Sequence, residues 1–304
     1  MLAGAATPDD LVAFLPSWQL AMQADRKAPY TIDSYLRGAR YYLTWCAAQP
    51  DEHPLTRAAL QRWIAHLMDS GAEPATARIR QQAVRRFAAW LADEEAIDEN
   101  PFLGLKPPKI DMKVVERLTD EELRLMLKAC AGDQLHDRRD EACLRLLVET
   151  GMRAGELLAL SVHDIDLARG VVTIRKGKGG RGRHVPFETQ TGAAIDRYLR
   201  VRQRHPLSDT PALWLTETGG RAQLGYHGLR IALLARAIAV GIEDFHIHRL
   251  RHTFASRFLS LGGSEGSLMQ VAGWRTRQMV DRYSRDTAAE RAITEARRLR
   301  LGDL

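Results

Sequence analysis

Two arginines, a lysine, a histidine and a tyrosine could cut and rejoin a phosphodiester without a metal ion, and this chain spaces all five. Arg153 lies in ETGMRAGELLAL, Lys178 in the glycine-rich RKGKGGRGRHVPF, and His248 and Arg251 in HRLRH. Trp274 follows, then eight residues, then Tyr283. An arginine fork pairs bidentately with phosphate oxygens and stays protonated, so Arg153 and Arg251 could neutralise charge that builds at pentavalent phosphorus. Tyr283 could attack that phosphorus and conserve the bond energy as a phosphotyrosyl ester. A phenol with a pKa of about 10 needs help, either a base such as His248 or the field of the arginines. An ammonium at Lys178 could protonate the leaving 5′ oxygen. Trp274 adds an indole N–H, a donor without acid–base chemistry.

Each of these residues also has a plainer reading. Arg153 follows a helix-ending glycine and could form only a salt bridge, although Glu156, one turn on, could equally hold its guanidinium in a cleft. His248 and Arg251 are three apart and share a helical face, but an HxxR pair is weak by itself. His252 is expected on the opposite side of that helix, in a buried supporting hydrogen bond. Tyr283 could pack in a core. Lys176, Lys178, Arg181 and Arg183 could all be simple phosphate contacts, the reading preferred for Arg181 and Arg183.

The elements that must carry these residues read as mainly α. Ile32, Tyr35, Leu36, Ala39, Tyr42, Leu43 and Cys46 recur at helical spacing after Thr31, an N-cap candidate. Leu60, Ile64 and Leu67 mark a shorter helix ended by Ser70-Gly71. A long helix is expected from about Pro74 to Glu95, with Ile79, Ala83, Val84, Phe87 and Leu91 as its apolar stripe. Arg78, Gln81, Gln82 and Arg85 lie off the stripe, side chains suited to base edges and phosphates in a major groove. Asn100-Pro101 and Lys106-Pro107-Pro108-Lys109 cannot continue a helix, so a linker is expected, with Lys106 and Lys109 placed to lie along a phosphate backbone. Thr119 with Glu122 makes a capping box for the next helix. Val171–Ile174 has strand character, and the return begins at His184 after a glycine-rich turn. The expected organisation is a helical DNA-binding domain over 1–105, a linker over 106–117, and a domain over 118–304 that carries the chemistry.

Composition agrees, less sharply. The 304 residues hold 44 Lys and Arg against 38 Asp and Glu, a net charge of +6, which suits a polyanionic partner without requiring one. Three cysteines, Cys46, Cys130 and Cys143, show no metal-ligand spacing, so reduced thiols are expected. The opening LAGAATPDD lacks a basic leader, and no stretch approaches the roughly 20 apolar residues of a membrane span. A cytoplasmic protein, nucleoid-associated when on DNA, is the expectation, with no membrane partner, no cofactor and no metal.

Taken in order, TGMRAGELLAL, KGKGGRGRHVP, HRLRHTFAS and AGWRTRQMVDRY resemble the tyrosine recombinases, the phage-integrase and Xer-type family, and the likeness covers essentially the whole chain. It implies a helical-bundle core-binding (SAM-like) domain followed by an α+β catalytic domain with a small β-hairpin or sheet. It implies Arg153, Lys178, His248, Arg251, Trp274 and Tyr283 as the catalytic set, with no metal or nucleotide. Counting back from Val185-Pro186 puts the lysine at Lys178 and not Lys176. Most members carry histidine at the position of Trp274, although tryptophan also occurs there, so proton transfer at that position is not expected. The resemblance further implies a double-stranded recombination site as partner, a monomer or dimer in free solution and a tetramer on DNA that passes through a Holliday junction. The amphipathic stretch 288–301 would dock on a neighbouring protomer in such an assembly or close back on its own. Because the core-binding pattern starts almost at Met1, a separate arm-binding domain is not expected. Two rivals remain: a type IB topoisomerase-like enzyme acting as a monomer, and a non-catalytic DNA-binding factor, which the six usable residues argue against.

Overall fold

The computed structural model describes residues 6–49, 53–108, 116–175, 182–217, 223–277, 279, 280, 293 and 297. The chain divides into two compact units, residues 1–113 and 114–304. Among the described residues it is mostly helical with one three-stranded sheet. No described helix is long and apolar enough to cross a membrane.

Among its described residues the first unit holds five helices: α1 (Pro8–Val12), α2 (Leu15–Ala24), α3 (Pro29–Ala47), α4 (Arg57–Asp69) and α5 (Pro74–Asp93). Thr7 caps α1 reciprocally with Asp10, and Thr56 accepts from the Ala59 N–H at 3.1 Å to start α4. Thr31, expected to cap α3, lies instead inside its first turn. Pro29 starts the helix three residues earlier than expected, because its fixed φ is already helical and its missing N–H costs nothing there. Trp18 and Phe87 meet with ring centroids 5.0 Å apart, as do Tyr42 and Trp63, around Leu15, Leu43 and Leu91. Burying each side chain of Leu or Phe size stabilises the fold by about 1.5–3 kcal/mol. Gly38 lets α3 and α5 approach closely, since a Cβ there would stand 2.6 Å from the Ala83 Cβ.

One face of α5 differs from the sequence expectation. Ile79 is 49% exposed, whereas Gln81 is 4% exposed. The inward row runs Ala77, Gln81, Val84, Ala88, Leu91, so helical register carries Gln81 into the bundle and Ile79 out of it. Gln81 Nε2 donates to the Lys106 carbonyl at 3.5 Å.

The second unit opens with α6 (Asp120–Ala129), whose Thr119–Glu122 capping box closes as the sequence predicts. Next come α7 (Leu135–Thr150), α8 (Ala154–Leu158), a 3₁₀ turn over Val162–Asp164, and strands β1 (Ile165–Asp166), β2 (Val171–Ile174) and β3 (Arg183–Pro186). The sheet is antiparallel in the order β1-β2-β3, with Val172 opposite Val185 and Ile174 opposite Arg183. Then follow α9 (Thr189–Arg202), α10 (Tyr226–Ile238), α11 (Ile247–Ser260) and α12 (Glu265–Ala272). Leu144, Leu146 and Leu147 of α7 pack in one core with Val172, Val185, Tyr198 and Trp214. The Trp214 indole donates to the Leu157 carbonyl at 2.9 Å, and the Tyr198 hydroxyl to the Leu213 carbonyl at 2.9 Å. Arg236 binds Asp137 at 2.8 Å and Asp140 at 3.0 Å, tying α10 to α7. All three cysteines are unbridged and buried.

Candidate active site

The site begins where α7 stops. Gly151 takes φ 59° and ψ 17°, the left-handed conformation that ends a helix, and its N–H bonds back to the Leu147 carbonyl at 3.1 Å. A Cβ at this position would lie 2.1 Å from the Phe254 ring on α11, so α7 and α11 meet edge to edge only because residue 151 is glycine. Two residues on, Arg153 becomes the N-cap of α8.

Arg153 is oriented by the helix it caps. Its backbone N–H donates to Glu156 Oε2 at 2.8 Å, and its Nη1 to Glu156 Oε1 at 3.1 Å. The Arg153 side chain remains 29% exposed, so its remaining donors stand at an accessible edge. The Glu156 carboxylate is buried. Burial alone would raise its pKa, but the ion pair with Arg183 and the bonds from Arg153 outweigh that and hold it below the ordinary carboxylate range.

Arg183, expected as a phosphate contact, is directed inward. Nη1 and Nη2 donate to the two Glu156 oxygens at 3.1 and 2.8 Å, and Nε donates to the Val271 carbonyl at 2.9 Å. The sequence held a signal for this. Val185 is the inward residue of β3, and a strand returns to the same face every second residue, which places Arg183 inward too.

Arg251, on α11, is 4% exposed. Its Nη1 donates to the Gly151 carbonyl and its Nη2 to the Ala272 carbonyl at 2.7 Å. The guanidinium lies 5.1 Å from the centroid of the Trp274 ring, within cation–π range. Trp274 follows Gly273, a left-handed cap with φ 65°, and packs with Phe254, Leu259, Leu268 and Val280. His248 is exposed, and its ring meets that of His252 edge-on with centroids 4.7 Å apart. His252, expected on the opposite side of α11, is four residues on and so shares the side of His248; it is buried beneath it.

The structure therefore brings Arg153, Glu156, Arg251 and Trp274 around the ends of α7 and α12. Lys178, Arg181, Lys109 and Tyr283 lie outside the described residues, as does nearly all of 288–301. In the first unit, Arg78, Gln82 and Arg85 line a depression of about 430 Å³ with Arg86, Asn100, Leu103 and Pro107. Gln81 reaches its wall, but its side chain is buried and bonded to the Lys106 backbone, which removes it from the expected base-reading set. Lys106 is exposed. Arg86 was not anticipated, although it falls next to Arg85 and four residues beyond Gln82 on one helical face.

Comparison with known proteins points one way. Residues 116–290 match the model of the phage integrase family, a span that includes all six candidate catalytic positions. The tyrosine recombinase XerC of Xanthomonas campestris pv. campestris (strain B100) is 30% identical over 283 residues, covering 88% of this chain and 81% of that protein. The XerC of Pseudomonas fluorescens is 28% identical over 249 residues, 81% of this chain and 82% of that one. Among solved structures, the XerH site-specific recombinase bound to palindromic difH in a post-cleavage complex superposes with a TM-score of 0.73 at 19% identity, covering 94% of this chain and 84% of that one. A lambda integrase tetramer bound to a Holliday junction superposes with a TM-score of 0.67 at 16% identity, over 88% and 77% of the two chains.

Proposed function

The chain belongs to the phage integrase family, and from that premise we propose that it is a site-specific recombinase that cuts and rejoins DNA through a 3′-phosphotyrosyl link at Tyr283. The observation that carries the reading is the link between Arg251 and the chain turn that bears Arg153. The Arg251 guanidinium donates to the carbonyl of Gly151, two residues before Arg153, whose own guanidinium is held by Glu156. Two such groups can take the non-bridging oxygens of one scissile phosphate.

In the proposed step the Tyr283 oxygen attacks phosphorus and the bond to the 5′ oxygen breaks. The phenolic proton passes to His248, and Lys178 gives a proton to the departing oxygen. Attack by the free 5′ hydroxyl of another strand reverses the sequence and releases Tyr283. Trp274 packs against Arg251 and supplies no proton. Residues 1–105 and 118–304, joined by the linker 106–117, each contribute contacts to the duplex. Arg78, Gln82, Arg85 and Arg86 contact DNA from α5. Four protomers on two sites exchange strands through a Holliday junction, an assembly supported by the lambda integrase neighbour.

The test is a nicked suicide substrate carrying the recombination site. The wild-type chain should accumulate a covalent protein–DNA adduct, and Tyr283→Phe should bind the same DNA and form none. Adduct formation by Tyr283→Phe at the parent rate would falsify the assignment of the nucleophile.

A further inference from the structure

We propose that Arg183 is a positioning residue for DNA cleavage: it occupies the Glu156 carboxylate so that Arg153 stays available to the phosphate, and it moors the end of α12 that leads to Trp274. The proposal deepens the recombinase reading above and rests on it. Arg183 engages both Glu156 oxygens and a third acceptor, the Val271 carbonyl, at 2.8–3.1 Å. Its side chain is 13% exposed against 29% for Arg153, so of the two arginines that share Glu156 it is the inner one. Gly273 makes room for it, since a Cβ there would stand 3.0 Å from the Arg183 guanidinium carbon.

Competition for one carboxylate gives the mechanism. With Arg183 in place, Glu156 needs only Nη1 of the Arg153 side chain, and the rest of that fork remains for a ligand. Without it, each Glu156 oxygen loses one of its two donors and the buried carboxylate keeps Arg153 as its one remaining cation. A buried carboxylate short of donors and charge is costly, so Glu156 would draw Arg153 into a bidentate pair and away from the phosphate. The Val271 carbonyl would lose its donor in the same change, next to the Ala272 carbonyl that holds Arg251. Lysine cannot substitute, because a point charge on a flexible stem cannot make two parallel bonds to Glu156 and a third to Val271.

The experiment measures single-turnover adduct formation and DNA affinity for Arg183→Lys in the full chain. Adduct formation should slow by about 10–100-fold, the range usual for groups that orient a reacting residue, while affinity for the uncleaved site changes by less than about twofold. A methylphosphonate at the scissile position replaces one charged oxygen by a methyl and asks less of Arg153, so the Arg183→Lys defect should shrink on it. Glu156→Gln removes the anion that would capture Arg153, so adding it to Arg183→Lys should not deepen the defect, and the double variant should be no slower than the worse single one. Parent-rate cleavage by Arg183→Lys overturns the proposal. So does a defect of equal size on both substrates, or a loss of rate, affinity and thermal stability in step. If both variants fail to fold, Arg183 is simply structural and the proposal fails. A wild-type chain that forms no adduct overturns the recombinase reading itself, a different result from a wild-type adduct matched by Arg183→Lys.

Discussion

Lys178 and Lys176 are two residues apart in a glycine-rich segment, and their chemistry separates them better than their position. If Lys178 protonates the leaving oxygen, Lys178→Ala should cleave ordinary DNA much more slowly. A bridging 5′-phosphorothiolate, whose thiolate leaves without a proton, should restore much of the rate. Lys176→Ala should show neither effect, and rescue of that variant alone would move the proton donor by two residues. Glu156 makes a second prediction at this scale. Its folded pKa is depressed, by Arg183 and Arg153 acting against burial. Its contribution to stability is therefore present above the unfolded value of about 4.3 and lost as pH falls through the folded value. The parent should lose more thermal stability than Glu156→Gln between about pH 6 and about pH 3, as followed by circular dichroism melts. A third concerns the thiols. Burial pushes Cys130 up to about 12 and Cys143 well above the usual thiol range. Iodoacetamide at about pH 8 should leave both unmodified in the folded protein and alkylate them in urea, because the thiolate is the nucleophile. The residue types were legible in the sequence because arginine, histidine and tyrosine announce their chemistry. Their partners were not: Arg183 looked like a phosphate contact until the strand turned it toward Glu156.

At the scale of elements, two glycines, Gly38 and Gly151, set distances that no larger residue permits. Gly38→Ala would place a Cβ 2.6 Å from Ala83 and force α3 from α5. A cost of about 1–3 kcal/mol is expected from such overpacking, measurable as a lower urea midpoint with an unchanged slope. The long helices could be read from their apolar spacing, and α6 from its capping box, because both signals are local. The register of α5 could not be, since Ile79 and Gln81 exchange their expected roles when neighbouring helices choose the buried face. The two-residue strand β1 was missed for a similar reason. Ile165 and Asp166 carry little strand signal of their own and are held by pairing with Val172 and Val171.

At the scale of the molecule, the net charge of +6 is modest, so affinity should depend on where the cations stand. Arg78, Arg85 and Arg86 share one depression of the first unit. DNA binding should weaken steeply with salt as phosphate contacts release counterions. Arg85→Ala should weaken the cognate site more than unrelated duplex in a binding titration. A uniform loss would reassign Arg85 to the backbone, and each lost phosphate contact should reduce the salt slope by about 1. If the arginines and Lys178 do the work that metal ions do in other phosphoryl transfers, cleavage should persist in excess EDTA.

Val280 sets a leash. Its side chain is sunk among Trp274, Phe254 and Leu268, and Tyr283 is only three residues further along the chain. Three residues extend about 10 Å at most, so if Tyr283 is the nucleophile, a seated Val280 limits how far its attack can reach. On that reading each protomer would cut the strand that its own Arg153 and Arg251 hold. Mixing a Tyr283→Phe protomer with an Arg251→Ala protomer on one synapse should therefore fail to restore cleavage.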